Sequence, residues 1–157
     1  MLVGDPHCKP ADEQKHDIDI IKDYLALQYA AIEREKPDLV ILMGDNATGD
    51  NAEDLRKTLF RITKPYADSN TPFAFILGNH DLEWGEIREI DPMYAFYKEL
   101  PCCVLPDDCT SYGDYDLLVN DSNGKTPILH LLFVYSGSGG PKEIYSYYDY
   151  VKKEQNQ

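Results

Sequence analysis

Two amphipathic helical patterns alternate with three short apolar runs in the first half of this 157-residue chain. In residues 16–35 and again in residues 52–66, apolar side chains recur at spacings of three and four, as on one face of a helix. These side chains are Ile18, Ile21, Leu25, Tyr29 and Ile32 in the first segment and Ala52, Leu55, Leu59, Ile62 and Tyr66 in the second. We expect Pro37 to end the first helix, and the acidic Glu53 and Asp54 favour the first turn of the second.

The apolar runs beside these helices are typical of buried strands. "DLVILM" (38–43) and "PFAFIL" (72–77) each contain a continuous apolar stretch, and "MLVGD" at the start reads as the end of a short strand. The order β-α-β-α-β implies parallel strands joined by right-handed crossovers. The sequence therefore predicts an α/β fold, with residues 1–157 forming one domain.

The second half follows a different pattern. Residues 86–100 favour a helix, with a break expected at Pro92. "DYDLLVN" (114–120) and "PILHLLFVYS" (127–136) flank "DSNGKT", whose Asn-Gly pair is a strong hairpin signal. The tail "PKEIYSYYDYVKKEQNQ" is typical of the start of another helix.

A polar cluster follows each of the three predicted parallel strands. The clusters are "GDPH" with Asp5 and His7, "GDN" with Asp45, and "GNHD" with Asn79, His80 and Asp81. Each cluster alone is typical of a turn. Ligands of open α/β sheets bind at the carboxyl ends of the strands, and all three clusters would meet at that one edge. Turns alone do not account for this convergence, so the sequence predicts a site there.

The predicted site offers ligands for divalent cations. Asp5, His7, Asp45 and Asn79 supply carboxylate, imidazole and amide groups, which suit Mn²⁺, Fe or Zn²⁺. A central carboxylate can bridge two ions about 3.5–4 Å apart, and Asp45, from the middle strand, is the natural bridge.

The last cluster adds two groups that handle protons. His80 would stand beside the metals, where it can donate a proton to a leaving oxygen or stabilise charge on a phosphate. Asp81 can orient that imidazole, as carboxylates commonly do for a working histidine.

The set D-x-H, G-D-x and G-N-H-D, in this order, resembles the calcineurin-like metallophosphoesterases. "EKPDLVILMGDN", "GNHDLEWG", "GDYDLLV" and "LLFVYSGS" are similar to the purple-acid-phosphatase-like branch. The resemblance implies the N-terminal half of a four-layer αββα sandwich, two divalent metal ions, and hydrolysis of a small phosphoester by a metal-bound hydroxide. It matches Asp5 and His7 to ligands of one ion, Asp45 to the bridge, Asn79 to a ligand of the second ion, and His80 and Asp81 to the catalytic histidine and its partner.

The family pattern continues with a further ligand histidine and a G-H-x-H motif, and neither occurs in this chain. His130 lies in a predicted strand, and we expect it to be packed there. The missing motifs would fall after Gln157, so we expect the chain to stop early and to be, alone, a weak or inactive hydrolase. The alternative is a non-catalytic domain that binds a ligand or partner through the same edge. Residues 44–50 contain no tyrosine, which argues against an Fe(III)–tyrosinate centre.

Composition narrows the partners and the location. The net charge of −13 repels phosphate backbones, which argues against nucleic acid. No apolar run approaches the roughly 20 residues that span a membrane, and no leader pattern opens the chain, which together with the acidic charge favours the cytoplasm. The four cysteines favour free thiols by their spacing, and a bridge from Cys102 or Cys103 to Cys109 is left open.

Overall fold

The computed structural model describes residues 1–10, 15–49, 51–82, 89–138 and 151–156. In chain order the strands and helices are β1 (Leu2–Val3), α1 (Lys15–Glu35), β2 (Val40–Leu42), α2 (Ala52–Ser69), β3 (Phe73–Phe75), α3 (Ile90–Lys98), β4 (Tyr115–Asn120) and β5 (Pro127–Phe133). A 3₁₀ turn, Lys153–Asn156, ends the described chain. The predicted α/β class is confirmed, and the arrangement is consistent with the predicted N-terminal half of a metallophosphoesterase fold.

The three N-terminal strands form a parallel sheet in the order β1-β2-β3. This confirms the predicted β-α-β-α-β alternation, although each strand is shorter than its apolar run. Val40, Leu42 and all three residues of β3 are buried. The middle strand is therefore covered by its neighbours and by the helices, as a continuous apolar run predicts.

Helix α2 begins and ends with capping interactions. The Asn51 side chain accepts a hydrogen bond from the Asp54 backbone N–H at 3.0 Å, and Asn70 at the other end adopts a left-handed φ of 52°. The helix passes through Pro65 and ends one turn later than the pattern predicts. Its buried face includes Leu59 and Tyr66.

Helix α1 packs on α2 through a face that the sequence predicted only in part. Ile21 and Ile32 are buried as expected, but Tyr29 is exposed and Gln28 is buried in its place. The Gln28 side chain is satisfied because its Oε1 accepts a hydrogen bond from the Tyr66 hydroxyl at 3.1 Å.

The expected break at Pro92 is wrong, because helix α3 contains this proline. The helix begins at Ile90, so the proline lies in its first turn, where a missing backbone N–H costs no intrahelical hydrogen bond. The part of the predicted helix over residues 86–88, and most of the tail helix predicted from residue 141, fall outside the described residues.

Strands β4 and β5 form the predicted antiparallel hairpin, with Leu118 directly opposite His130. The hairpin joins the rest of the core through Tyr115, whose hydroxyl accepts a hydrogen bond from the Phe75 N–H at 3.0 Å and donates one to the Phe75 carbonyl. The expectation that His130 is packed is wrong. Its side chain is 53% exposed and lies 2.6 Å from the Asp116 carboxylate, because the outer face of this two-stranded sheet is open.

Two remaining expectations concern cysteines and membranes. All four cysteines are unbridged; Cys8 is buried, and the other three are partly buried. No helix among the described residues is long and apolar enough to cross a bilayer.

Candidate metal centre

The segments that follow β1, β2 and β3 (residues 4–8, 44–48 and 78–82) lie together, and we call them the polar edge. Backbone pairing continues past the strands and holds the first two segments side by side. The His7 N–H donates to the Asp45 carbonyl at 2.8 Å, and the Thr48 N–H donates to the Cys8 carbonyl at 2.8 Å. This pairing places His7 next to Asp45, as the convergence of parallel strands predicts.

Asp5, His7 and Asp45 form a cluster of three ligand groups. The His7 Nε2 atom lies 2.7 Å from Asp5 Oδ1 and 3.7 Å from Asp45 Oδ2. One ligand atom from each residue lies within 4.8 Å of the other two. The Asp45 side chain is only 14% exposed, whereas those of Asp5 and His7 are 70% and 46% exposed. Two carboxylates and one imidazole that converge in this way fit a divalent ion such as Mn²⁺ or Zn²⁺.

All three of these residues adopt a left-handed backbone conformation. Their φ angles are 52° for Asp5, 43° for His7 and 48° for Asp45. This region is uncommon for residues other than glycine, although aspartate and histidine visit it more often than most. Strained backbone of this kind clusters at functional sites, where the surrounding structure holds it in place.

Two glycines allow the second and third segments of the polar edge to touch. A Cβ atom on Gly44 would lie 2.7 Å from the Gly78 nitrogen, and a Cβ atom on Gly78 would overlap the backbone nitrogen and Oδ1 of Asp45. Gly44 also has a φ of 96°. Gly78 is not among the glycines with positive φ, so what its missing side chain provides is the close approach and not an unusual backbone conformation.

Asn79 lies at the same place as the cluster. It lines a cavity of about 300 Å³ together with Asp5 and Asp45, and Val134, Ser136 and Gly137 also line this cavity. Asn79 therefore lies at the polar edge. Its role as a ligand of a second ion stays a prediction.

His80 lies directly beside the cluster. Its ring centroid is 5.3 Å from that of His7, and its backbone N–H donates to Asp45 Oδ1 at 2.8 Å. The imidazole is thus adjacent to the ligand groups, where the proton-transfer role was predicted. That role stays a prediction.

Asp81 lies underneath the polar edge and is only 3% exposed. Its Oδ1 accepts the backbone N–H groups of Asn46 at 2.8 Å and Ala47 at 3.4 Å, and its Oδ2 accepts that of Gly78 at 2.7 Å. Burial raises the pKa of Asp81 to about 6, and the three amides, which favour the ionised form, offset part of that rise. The predicted orientation of His80 by Asp81 stays a prediction, since these contacts are all with backbone.

Asn46 is a residue that the sequence reasoning did not assign to the site. It is fully buried, and its Nδ2 donates to the Ile76 carbonyl at 3.1 Å. The side chain therefore ties the segment after β2 to the end of β3. An asparagine in a "GDN" turn is too common a pattern to reveal this contact.

Cys8 follows His7 in the sequence, but its side chain is buried in the hydrophobic core. It is 1% exposed, and burial raises the pKa of its thiol to about 11. A neutral thiol is neither a good nucleophile nor a metal ligand, so Cys8 belongs to the core.

A sequence model of the family described as calcineurin-like phosphoesterase matches residues 1–156. No solved structure gave a significant match.

Several curated proteins are similar to the chain over most of its length. A probable inactive purple acid phosphatase 14 of Arabidopsis thaliana is 33% identical over 79% of this chain and 34% of its own length. A probable inactive purple acid phosphatase 29 from the same plant is 31% identical over the same shares. Phosphatase DCR2 of Saccharomyces cerevisiae is 31% identical over 77% of this chain and 22% of its own length. The chain thus spans about a third or less of these relatives.

Proposed function

This chain belongs to the calcineurin-like phosphoesterases, and from that membership we propose that its polar edge binds divalent metal for the hydrolysis of a small phosphoester. The observation that carries the proposal is the cluster of Asp5, His7 and Asp45, whose ligand atoms lie within 4.8 Å of one another. Among the described residues, this is the only group of three such side chains.

The ligands divide between two ions. Asp5 and His7 would hold the first ion, Asn79 would hold the second, and Asp45 would serve as a ligand of both. Two such ions, whether Mn, Fe or Zn, would supply Lewis-acid activation of a water molecule and of the phosphate oxygens. The Asp45 Oδ1 atom already accepts the His80 N–H, so its Oδ2 atom, 3.7 Å from His7 Nε2, is the one that would bind the first ion.

His80 serves as the proton donor in this proposal. Its ring lies beside that of His7 and therefore beside any substrate held at the cluster. From there it would give a proton to the leaving oxygen or stabilise the charge that develops on the phosphate.

Activity is proposed to be weak in this chain by itself. Among the described residues the second ion would have only Asp45 and Asn79 as ligands, and two ligands hold a divalent ion loosely. The two plant relatives carry the words "probable inactive" in their names, whereas the yeast relative is named a phosphatase. The second candidate function is accordingly a non-catalytic domain that keeps the metal site and binds a phosphorylated ligand through it.

Calorimetric titration with Mn²⁺ and Zn²⁺ tests the metal site. We expect binding that is abolished in Asp45→Ala and preserved in Asp116→Ala, which removes the carboxylate of the other Asp–His pair. Absence of binding in the unaltered protein would overturn the proposal.

Turnover of p-nitrophenyl phosphate with added metal separates the two candidate functions. Slow turnover that requires Asp45 supports a weak hydrolase. Metal binding with no turnover supports the non-catalytic domain, and robust turnover would contradict the expectation of weak activity.

A further inference from the structure

The carboxylates of Asp45 and Asp81 accept backbone hydrogen bonds across the polar edge, each from the segment of the other residue. Asp45 belongs to the segment after β2, and its Oδ1 accepts the N–H of His80 in the segment after β3. Asp81 belongs to the segment after β3, and its Oδ1 accepts the N–H groups of Asn46 and Ala47 in the segment after β2. Each carboxylate therefore ties its own segment to the other one.

The Asp81 side chain is buried where the segments after β2 and β3 meet. It is 3% exposed, and its Oδ2 turns back to accept the Gly78 N–H at 2.7 Å. The carboxylate thus holds the turn of its own segment and the neighbouring segment at once. Buried amides that lose such an acceptor are costly, so the arrangement fixes both segments relative to each other.

Asp45 needs support of this kind. Its φ of 48° is uncommon for a residue with a side chain, and one of its carboxylate oxygens is taken up by His80. The amides that Asp81 accepts are those of the two residues that directly follow Asp45. Fixing the Asn46 amide fixes the peptide plane that follows Asp45, and with Oδ1 held by the His80 N–H this keeps Oδ2 on the side of His7.

We propose that Asp81 is a positioning residue for Asp45, and that it holds the ligand oxygen in place through the amides of Asn46 and Ala47. This role is separate from any orientation of His80. The positioning itself requires no ion. Only its consequence, tighter binding of metal, rests on the proposed function.

Amide hydrogen exchange in the metal-free protein tests the positioning directly. The reporter is the His80 N–H, which is bound to Asp45, and the reference is the Val40 N–H, which donates to the Pro72 carbonyl at 2.9 Å in the buried sheet. In Asp81→Asn we expect protection of the His80 amide to fall at least about tenfold more than that of Val40, because local opening is no longer prevented. Equal losses at both amides, or no loss at His80, would overturn the proposal.

Asp121→Asn is the matched control for this experiment. Asp121 Oδ1 also accepts three backbone N–H groups, those of Asn123, Lys125 and Thr126, but it does so in the turn of the β4–β5 hairpin. This variant should leave the His80 amide unchanged. If Asp81→Asn does not fold, Asp81→Glu replaces it, because glutamate keeps both oxygens but displaces them by one methylene group.

A titration with Mn²⁺ then separates this inference from the metal proposal. We expect Asp81→Asn to bind Mn²⁺ about 10- to 100-fold more weakly than the unaltered protein, as is usual when support behind a metal ligand is removed. Unchanged affinity together with a less protected His80 amide would overturn the consequence for metal. If the unaltered protein binds no Mn²⁺, the proposed function fails, while the exchange data still decide whether Asp81 positions Asp45.

Discussion

The polar edge and the β4–β5 hairpin contain the same two polar arrangements in different surroundings. Each has an aspartate–histidine pair, His7 with Asp5 at 2.7 Å and His130 with Asp116 at 2.6 Å. A third carboxylate, Asp45, lies 3.7 Å from His7, and among the described residues the hairpin pair has no such addition. An Asp–His pair alone therefore does not mark a metal site, and the addition of a third ligand group from another segment makes the pair at the polar edge a candidate.

The second shared arrangement is a carboxylate that accepts three backbone amides. Asp81 does so under the polar edge, and Asp121 does so in the turn of the hairpin. Burial raises the pKa of Asp81 to about 6, whereas hydrogen bonds from backbone amides, that of Lys125 first, lower the pKa of Asp121. The same kind of hydrogen bond thus accompanies a raised pKa in one aspartate and a lowered pKa in the other, and burial decides the direction of the pKa shift.

Removal of each carboxylate should separate the two regions most clearly. In Asp81→Asn the NH₂ group of the new side chain faces at least one of the three backbone N–H donors, which is left without an acceptor, so we expect a loss of about 2–3 kcal/mol in the free energy of unfolding. Asp121→Asn should change that free energy little, because water can replace the lost acceptor. Urea unfolding followed by circular dichroism measures both, and equal losses would contradict the assigned difference in burial.

A substitution that disturbs the close packing at the polar edge should give the next largest loss in the free energy of unfolding. Gly78→Ala would force Asp45 away from its present position, so we expect a loss of about 1–3 kcal/mol. Gly4→Ala is the control, because a Cβ atom at Gly4 meets nothing within 4 Å. The same unfolding experiment checks both variants, and a neutral Gly78→Ala would show that the two segments are free to separate.

The opposite pKa shifts predict opposite pH dependences. The raised pKa of Asp81 makes its contribution to stability fully present below the unfolded value of 3.8, and the contribution is lost as pH rises through about 6. The lowered pKa of Asp121 gives a contribution that is present above 3.8 and is lost as pH falls through the folded value. Carboxyl carbon NMR titration of the metal-free protein should show midpoints on opposite sides of 3.8. Two midpoints on the same side would contradict the comparison.

The smallest predicted effect comes from building a third carboxylate into the hairpin. Leu118 lies directly opposite His130, and Asp116 lies two residues before Leu118 on the same exposed face. Leu118→Asp should therefore create weak Zn²⁺ binding that shifts the His130 ring resonances, and Ile128→Asp on the same strand as His130 serves for comparison. Absence of any shift would show that strained, preformed geometry matters more than the number of ligands.

The sequence predicted the polar edge better than it predicted the contacts beneath it. Periodicity located the helices and apolar runs located the strands, and the ends of parallel strands brought Asp5, His7 and Asp45 together because topology alone determines that edge. The partners of Asp81 depend on how closely the segments after β2 and β3 approach. That approach is set by Gly44 and Gly78, and no local pattern reports it.

The hairpin shows a different limit of what the sequence alone can predict. The run "PILHLLFVYS" is apolar on both of its faces, so alternation could not show which residues point outward. His130 was expected to be packed and is 53% exposed, in line with the exposed Leu118, Ile128 and Leu132 around it. Burial in a two-stranded sheet depends on what covers it, and the strand sequence does not contain that information.

One measurement tests the metal assignment most directly, because it compares both Asp–His pairs in the same sample. Substoichiometric Mn²⁺ broadens the NMR signals of nearby nuclei, so the ring signals of His7 and His130 can be followed together. In the unaltered protein we predict that the His7 signals broaden first while the His130 signals stay sharp. In Asp45→Ala this selectivity should be lost. Equal broadening at both histidines, or selectivity that survives Asp45→Ala, would contradict the assignment of Asp5, His7 and Asp45 as the metal centre.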